Sequence, residues 1–351
     1  MAGKEKAMPP KGFICKLERT GWQVPWDHFD NCVASRGRPG FPPWLARMTA
    51  RGLQEDIRHA GIALTATRVM GCPRAALIAF TQDYWVDPRK RAAADRGTAL
   101  HAEAARWLDP EVWYSEGSDP MRLVCHGFLF PQLVERLGVD DKWVFPQGLP
   151  VSTRIDALRR DLREMVNWKF GKDWAVRWRS KTGQAKPDHE VQANIERLLL
   201  AQQPWAQAAG LDPETILMTI WDHSMGMLEN EGPAALVARK MDESQILAHV
   251  PGTSKEHPAL YSVEEILEMW VLMQRGWEAA KDSGPAEMER LCAAVPCPGE
   301  TQYGGKGCSG YCDVHEVSGR LMRKYGRPEA LVPAAATEAA EEPVEEEEAA
   351  S

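Results

Sequence analysis

The sequence predicts an α/β protein in which helices flank a small mixed β-sheet. Two short segments rich in β-branched and apolar residues, 150–158 and 164–170, are separated by a charged turn and predict a β-hairpin. Two later segments, 215–221 and 235–241, alternate as strands do and are expected to extend the same sheet. Helical periodicity and helix-start signals surround these segments, so helices and strands interleave along the chain.

Four helices are predicted in the main part of the chain. Two precede the hairpin, at 73–84 and 88–108, and each begins at a proline that suits the first helical position. A third covers 189–209, directly after the hairpin region. The fourth covers 262–281, where a capping box precedes a stripe of apolar residues at helical spacing that predicts core.

Composition is that of an ordinary globular protein. The 351 residues are 44% hydrophobic and 26% charged, which is enough for a sizeable core in one large domain or two smaller ones. The formal net charge is −8, but the last 21 residues contain seven Glu and no Lys or Arg. The first 330 residues are therefore nearly neutral, and a fibrous, collagenous or wholly disordered chain is excluded.

The chain is expected to be cytoplasmic. Its first residues contain no apolar signal region, and no run of about eighteen apolar residues occurs, so neither export nor a membrane span is expected. Eight cysteines in such a chain are expected to be thiols or metal ligands rather than a disulfide framework.

Three regions are predicted along the chain. Residues 1–62 form an N-terminal extension to which no role is assigned, with a helix expected at 44–59. Residues 63–325 form the main domain. Residues 326–351 consist largely of Ala, Pro and Glu, and we expect them to be disordered because too little apolar surface is available to offset the entropy of ordering.

Two residues of the predicted hairpin indicate chemistry, Asp156 and Lys169. Because side chains alternate along a strand, Asn167 and Lys169 point to one face of the second strand, and Val166 and Trp168 point to the other. A carboxylate from the first strand and an ammonium from the second can therefore converge. Such a pair can hold Mg²⁺ through oxygen ligands and place the lysine beside a water that attacks a phosphodiester.

Basic residues are concentrated around this hairpin. The segment from Arg154 to Lys186 contains ten Lys or Arg against four Asp or Glu, an excess that suits a phosphate backbone. The alternative is a solvated turn and loop. Between Trp174 and Lys181, basic residues alternate with tryptophans, which predicts either a surface on which bases stack or a strand edge with amphipathic tryptophans.

Three polar or thiol residues ahead of the hairpin have weaker signals. Glu116 lies in a Gly-Ser-Asp turn, where an acidic site residue is the less favoured interpretation. Cys125 and His126 lie in an apolar run and are expected to belong to the core rather than to a metal site.

Four of the eight cysteines lie close together near the C-terminal end. They are Cys292, Cys297, Cys308 and Cys312, and His315 follows them. Loops rich in Gly and Pro seldom bury thiols without a use, so metal ligation is predicted. Taken alone, three of these cysteines with Cys292 or His315 can form a tetrahedral zinc site.

The hairpin motifs resemble those of a known superfamily. The sequence RIDAL at 154–158, a charged turn, and VNWK at 166–169 resemble the core of the PD-(D/E)XK nucleases, in their RecB-like and CRISPR-associated-exonuclease-like branch. The resemblance covers about residues 64–315 and implies a restriction-endonuclease-like core. It implies a deoxyribonuclease that needs Mg²⁺ or Mn²⁺, expected as an exonuclease on single-stranded ends. DNA is the implied partner, with a helicase or recombination protein in DNA repair or recombination as a further one.

The resemblance assigns roles to five residues. Asp156 and Asn167 stand where the family has metal-binding carboxylates, and Lys169 stands where it has the lysine that positions the water. His101, in a Gly-x-x-x-His motif, matches a metal-ligating or phosphate-facing histidine. Gln192 matches an orienting glutamine of a Gln-x-x-x-Tyr motif. The metal ligands so implied are His101, Asp156 and Asn167.

Two positions depart from the family pattern. Asn167 replaces an Asp or Glu, so an oxygen ligand is kept but a negative charge is lost. Glu164 does not replace that charge, because three residues away on a regular strand it faces the opposite side. Glu196 replaces the Tyr of the glutamine motif. These departures leave open a nuclease-fold protein that binds DNA without cutting it.

The resemblance also implies a 4Fe-4S cluster that staples the two ends of the domain together. Cys72, in a Cys-Pro-Arg motif, stands where the family has the first cluster ligand. The other three ligands are expected to be Cys297, Cys308 and Cys312, with Cys292 in reserve. Their spacing differs from the tighter family pattern, so Zn²⁺ is the alternative. A zinc-stabilised interaction protein with no nuclease function is a third possibility for the whole chain.

Overall fold

The structure is a computed structural model of the chain. The residues that it describes are 12–15, 22–25, 64–67, 69, 73–82, 85–86, 88–132, 147–171, 173–224, 234–249, 270, 284–294 and 315–325. The helix predicted at 44–59, the tail at 326–351 and most of the helix predicted at 262–281 lie outside these residues. Trp270, from the last of these segments, is helical and buried, as its place in the apolar stripe predicts.

The strands within the described residues form three sheets. The strands are β1 (Gly12–Cys15), β2 (Trp22–Pro25), β3 (Leu64–Thr65), β4 (Trp85–Val86), β5 (Trp113–Ser115), β6 (Val124–Leu129), β7 (Leu149–Arg154), β8 (Ala157–Arg159), β9 (Glu164–Gly171), β10 (Leu217–Ser224) and β11 (Ala234–Val237).

Helices cover these sheets. They are α1 (Pro73–Thr81), α2 (Pro88–Arg106), α3 (Pro120–Leu123), α4 (Asp173–Thr182), α5 (Pro187–Ala201), α6 (Pro204–Ala208), α7 (Glu243–His249), α8 (Pro285–Ala294) and α9 (His315–Tyr325). Six of these helices begin at proline, whose fixed φ suits a first turn and whose missing N–H has no partner there in any case. None of the described helices is long and apolar enough to span a membrane.

The central sheet is mixed and has the strand order β11-β10-β9-β8-β5. Strands β9 and β10 run parallel, whereas the other neighbours pair antiparallel. A second sheet has the order β3-β7-β6, and a third has the order β2-β1-β4. The α/β fold class with a mixed sheet and flanking helices is therefore confirmed, and the strands predicted after the hairpin do extend the central sheet.

The first strand of the predicted hairpin is divided in two. β7 belongs to the second sheet and β8 to the central sheet, and Ile155 and Asp156 form the break between them. The reason lies in the hydrogen bonds at the break. The Ile155 N–H donates to the Leu123 carbonyl, and the Asp156 carboxylate accepts the Trp168 N–H at 2.7 Å in place of a strand–strand bond.

Helix α5 packs against strands of both the central and the second sheet, β6, β7 and β10. It is therefore buried on most sides, and even Asn194 and Arg197 are inaccessible to solvent. The Asn194 side chain donates to the Arg239 carbonyl and accepts the Met241 N–H, which fixes the segment after β11. Helix α2 packs on β9.

The helix predicted at 189–209 is instead two helices, α5 and α6. The break at Gln202 and Gln203 precedes a proline, which disfavours helical conformation in the residue before it. Gln202 uses the break to pair its amide with the backbone of Phe128, at 2.9 Å in both directions. The exposed edge of β6 is thereby covered.

Two further local predictions are corrected. The segment from Trp174 to Lys181 is part of helix α4, so the strand-edge interpretation of its tryptophans is wrong. Cys125 is fully buried as expected, but its neighbour His126 is exposed. The two residues are adjacent on β6 and therefore point to opposite faces.

Candidate functional site

Asp156 lies at the break between β7 and β8 and is held from two sides. His101 of α2 places Nδ1 2.9 Å from one carboxylate oxygen, and the Trp168 N–H of β9 donates to the other. The His101 ring packs edge-on against Phe170, with ring centres 5.0 Å apart. An ionised carboxylate only accepts hydrogen bonds, so with that form of Asp156 the donor in this contact is Nδ1 of His101.

A second hydrogen-bonded group lies on the other face of β9. Nζ of Lys169 donates to Oε1 of Gln192 at 2.9 Å, and Nε2 of Gln192 donates to Glu196 at 2.8 Å. Asn167 also donates to Glu196. Gln192 and Glu196 are one helical turn apart on α5, so both side chains meet the same strand.

Glu196 is the most deeply buried member of this group. Its carboxylate also accepts the hydroxyl of Thr153 at 3.3 Å. Burial raises the pKa of Glu196 to about 7, since it removes the charged form from water. The positive charge of Lys169 lowers that pKa, whereas the negative charge of Asp156 raises it, so the electrostatic fields of the two hydrogen-bonded groups overlap.

The structure places the five residues predicted for the site in two hydrogen-bonded groups along β9. His101 and Asp156 form one contact, Lys169 and Gln192 form another, and Asn167 joins the second group through Glu196. The catalytic and metal-binding roles assigned to them stay predictions. Glu196 was not predicted as a site residue, although its one-turn spacing from Gln192 is a signal that it shares the same face of α5.

The oxygen-rich residues here fit a hard divalent cation. Asp156 offers a carboxylate, and Oδ1 of Asn167 is buried without a hydrogen-bond partner in the part of the chain that the structure describes. Within the same residues, no three His, Cys, Asp or Glu side chains converge as a ready-made metal cage. That arrangement suits Mg²⁺, which uses one or two carboxylates and keeps several waters, better than it suits Zn²⁺.

A cavity of about 330 Å³ adjoins the Asp156 carboxylate. Residues that line it include Gly97, Thr98, His101 and Arg154. Gly97 leaves space on the helix, since a side chain there would meet no atom within 4 Å. Glu116 lines the cavity as well and pairs with Arg154 at 3.2 Å, so it acts as the partner of a basic residue rather than as a contact of Asp156.

No family model matches the chain, and no curated protein matches its sequence. Two solved structures are distantly similar. The crystal structure of SSO0001 is 13% identical, covers 59% of this chain and 81% of its own, and gives a TM-score of 0.35. An alkaline exonuclease (LHK-Exo) from Laribacter hongkongensis is 14% identical, covers 63% and 94%, and gives a TM-score of 0.34. At scores this low, the fold class rests on the strand order of this chain itself.

The basic excess around the hairpin is partly used inside the molecule. Arg179 is buried and paired with Asp222 of β10, so it does not face a ligand. Arg160 lies over the Tyr114 ring, 4.4 Å from its centre. On α4, Trp178 is 48% exposed, which makes it a candidate for base stacking. The Arg179–Asp222 pair was missed because its partners lie on different elements.

The predicted cluster ligands Cys72, Cys297, Cys308 and Cys312 lie outside the described residues. The helices next to them are described: α1 begins directly after Cys72, α8 ends shortly before Cys297, and α9 begins shortly after Cys312. These three helices pack against one another.

Cys292, the cysteine held in reserve as a cluster ligand, lies in the core on α8. It is fully buried, and its Sγ lies 3.2 Å from the hydroxyl of Thr81 on α1. Burial raises the pKa of Cys292 to about 11, which disfavours the thiolate that a metal requires. A buried structural thiol accounts for this residue.

Proposed function

We propose that this chain is a metal-dependent deoxyribonuclease that hydrolyses phosphodiester bonds, acting as an exonuclease on single-stranded ends. One observation supports this most directly. Asp156 is fixed at a strand break by His101 and by the backbone of β9, and Lys169 stands one residue further along that strand, oriented by Gln192. A cavity opens beside the carboxylate. A fixed ammonium of this kind binds a phosphate in place of water, and a fixed carboxylate binds the cation that the phosphate also contacts.

The chain's own residues divide the task of holding substrate and cation. Asp156 and Asn167 would hold Mg²⁺ or Mn²⁺ through oxygen atoms, with His101 assisting through its contact with Asp156. The bound ion supplies positive charge beside the scissile phosphate. Arg154, which lines the cavity, is placed to contact a neighbouring phosphate.

Lys169 is the residue that positions the attacking water. Gln192 accepts one of its three ammonium hydrogens, which leaves two for the water and for a phosphate oxygen. In the reaction, the water oxygen forms a bond to phosphorus, and the bond from phosphorus to the departing sugar oxygen breaks. The water loses a proton to solvent, and the departing oxygen takes one up.

The test is degradation of end-labelled DNA by protein purified anaerobically. We expect Mg²⁺ or Mn²⁺ to be required, single-stranded ends to be preferred, and EDTA to stop the reaction. DNA binding without cleavage under any metal would instead support a nuclease-fold protein that does not cut. Absence of both binding and cleavage would overturn the nuclease proposal and favour the zinc-stabilised interaction protein.

We further propose a 4Fe-4S cluster held by Cys72, Cys297, Cys308 and Cys312. The packing of α1, α8 and α9 supports it, because those helices bring the chain next to Cys72 close to the chain next to the C-terminal cysteines. Anaerobically purified protein should be brown with roughly four irons per chain. Cys72→Ser should lose the colour and melt at a lower temperature, whereas Cys125→Ser should keep the iron. Zinc with Cys72 dispensable would contradict the cluster.

A further inference from the structure

Asn167 and Glu196 form a matched pair in the interior. Nδ2 of Asn167 lies 3.1 and 3.0 Å from the two carboxylate oxygens of Glu196. The two residues are 2% and 0% exposed. The strand position at which the resembling nucleases have a carboxylate therefore holds an amide, and a carboxylate from α5 stands directly against that amide.

The hydrogen-bond partners of Glu196 carry no charge. Its carboxylate accepts hydrogen bonds from Gln192, Asn167 and Thr153, which are all neutral. None of the ion pairs formed by the described residues includes Glu196. A buried carboxylate that no cation contacts is costly, and neither three neutral donors nor the charge of Lys169, which lies beyond Gln192, removes that cost. A cation bound beside it would.

Two oxygen donors lie at the contact between Asn167 and Glu196. They are the carboxylate of Glu196 and Oδ1 of Asn167, which has no hydrogen-bond partner among the described residues. Asp156 is tied to the same stretch of β9, because its carboxylate accepts the N–H of Trp168, the residue after Asn167. Mg²⁺ and Mn²⁺ prefer oxygen ligands, and one or two carboxylates with waters complete a Mg²⁺ site.

We propose that Glu196 is the second carboxylate of the metal site, supplied by helix α5 in place of the strand residue at 167. This inference rests on the proposed nuclease function and deepens it. The site then has the same charge as its resembling relatives, two carboxylates and one lysine, although one carboxylate has moved from strand to helix. Asn167 is in that case no sign of a dead enzyme, because it orients Glu196 through Nδ2 and keeps Oδ1 for the cation.

The decisive experiment exchanges the two positions. Mn²⁺ binding is measured by titration calorimetry on the full chain, together with the rise in melting temperature that Mn²⁺ causes. Glu196→Gln should weaken Mn²⁺ binding by at least ~10-fold, as loss of a ligand costs no less than loss of a residue behind it. The double variant Asn167→Asp with Glu196→Gln returns the carboxylate to the strand, and it should recover most of the affinity and of the thermal shift.

A matched control is Glu190→Gln, the same substitution on the same helix. Glu190 accepts the Arg239 N–H and does not contact the group around Lys169. This variant should bind Mn²⁺ as the wild type does. If Glu196→Gln does not fold, the double variant carries the test, because it adds a carboxylate at 167 while it removes the one at 196.

The outcomes distinguish failure of the role of Glu196 from failure of the proposed nuclease function. Wild-type Mn²⁺ affinity in Glu196→Gln, with loss in Asp156→Ala, would overturn the role of Glu196 and leave the nuclease proposal intact. A folded double variant that recovers no affinity would overturn it as well. If the wild type bound no Mn²⁺ and cleaved no DNA, the proposed function and this inference would fall together.

Discussion

Along β9, alternate residues meet two helices of opposite character. On one face, Val166 and Trp168 pack with Ala105 of α2 in a small apolar cluster. On the other face, Asn167 and Lys169 hydrogen-bond to side chains of α5. The apolar face holds α2 in place and so positions His101, while the polar face presents the charges. One eight-residue strand therefore supplies both the support and the chemistry of the site.

The difference between the two faces of β9 predicts which substitutions should reduce activity and which should reduce stability. Substitutions on the polar face should reduce activity more than stability, because each side chain there is one member of a hydrogen-bonded group. Substitutions on the apolar face should reduce stability first, because they remove buried surface and leave a cavity. The following variants test that division, in order of expected effect.

Asp156→Ala and Lys169→Ala should have the largest effect. Each removes a charged group that would contact the phosphate, the cation or the water, so we expect cleavage of end-labelled DNA to fall at least ~100-fold. Asp161→Ala is the control for Asp156, since Asp161 lies in the exposed turn of the hairpin, paired with Arg159. Near wild-type rates in either site variant, with the fold intact by circular dichroism, would disprove the site.

Trp168→Ala should have the largest effect on stability. It removes a large side chain that is only 7% exposed, and we expect the free energy of unfolding to fall by about 3–5 kcal/mol. Lys169→Ala, one residue further along, should change it by less than about 1 kcal/mol, because Lys169 lies at the partly exposed edge of the network. Urea denaturation measures both. Equal losses would remove the distinction between the two faces.

Two residues of α5 should give opposite pH dependence of stability. The pKa of His189 is lowered to about 3, mainly because burial disfavours the imidazolium. Its stabilising contribution is thus present above the ordinary pKa of about 6.5 and is lost as the pH falls toward 3. The negative charge of Asp188 raises the pKa of His189, whereas the positive charges of Lys169, Arg179 and Lys186 lower it further.

The stability contributed by Glu196 changes with pH in the opposite direction, because its pKa is raised in the folded state. Its contribution is fully present below the ordinary pKa of about 4.3 and is lost as the pH rises through about 7. Melting temperatures in EDTA between pH 4.5 and 8 measure both effects. His189→Gln should gain on the wild type as the pH falls, and Glu196→Gln should gain as the pH rises. Parallel curves for the two variants would contradict the assignment of these pKa shifts.

The smallest effect on function is expected from substitutions on α4, the helix that comes after β9 in the chain. Lys181 is exposed near the end of that helix, close to the half-exposed Trp178. If this surface contacts the phosphate backbone, Lys181→Ala should reduce the slope of log affinity against log salt by about 1. Arg290→Ala, on α8, serves as the comparison and should leave the slope unchanged. Identical slopes for both variants would place the DNA elsewhere.

Much of this arrangement could be predicted from local sequence. The alternation on β9 follows from the period of a strand, so the separation of Asn167 and Lys169 from Val166 and Trp168 needed no tertiary information. The starts of α1 at Pro73 and of α2 at Pro88 could also be predicted, because proline acts through its own backbone. Strands β9, β10 and β11 of the central sheet followed from their apolar patterns.

Other features depend on contacts between distant elements. The break at Asp156 forms because Leu123 and Trp168 offer hydrogen bonds that a continuous strand would not use. The segment around Trp178 is helical although its alternation of aromatic and basic residues also fits a strand. Local pattern does not decide such cases, because the burial that selects between them belongs to the assembled sheet.

The sequence by itself determined which residues share a face of β9 and which helices begin at proline, since both follow from backbone geometry within one element. Only the tertiary structure decided that Glu196 stands against Asn167, 29 residues away. That contact requires one particular position of α5 along strands β7, β9 and β10. The packing of the whole core sets this position, through residues such as Asn194 that fix the helix to the segment after β11.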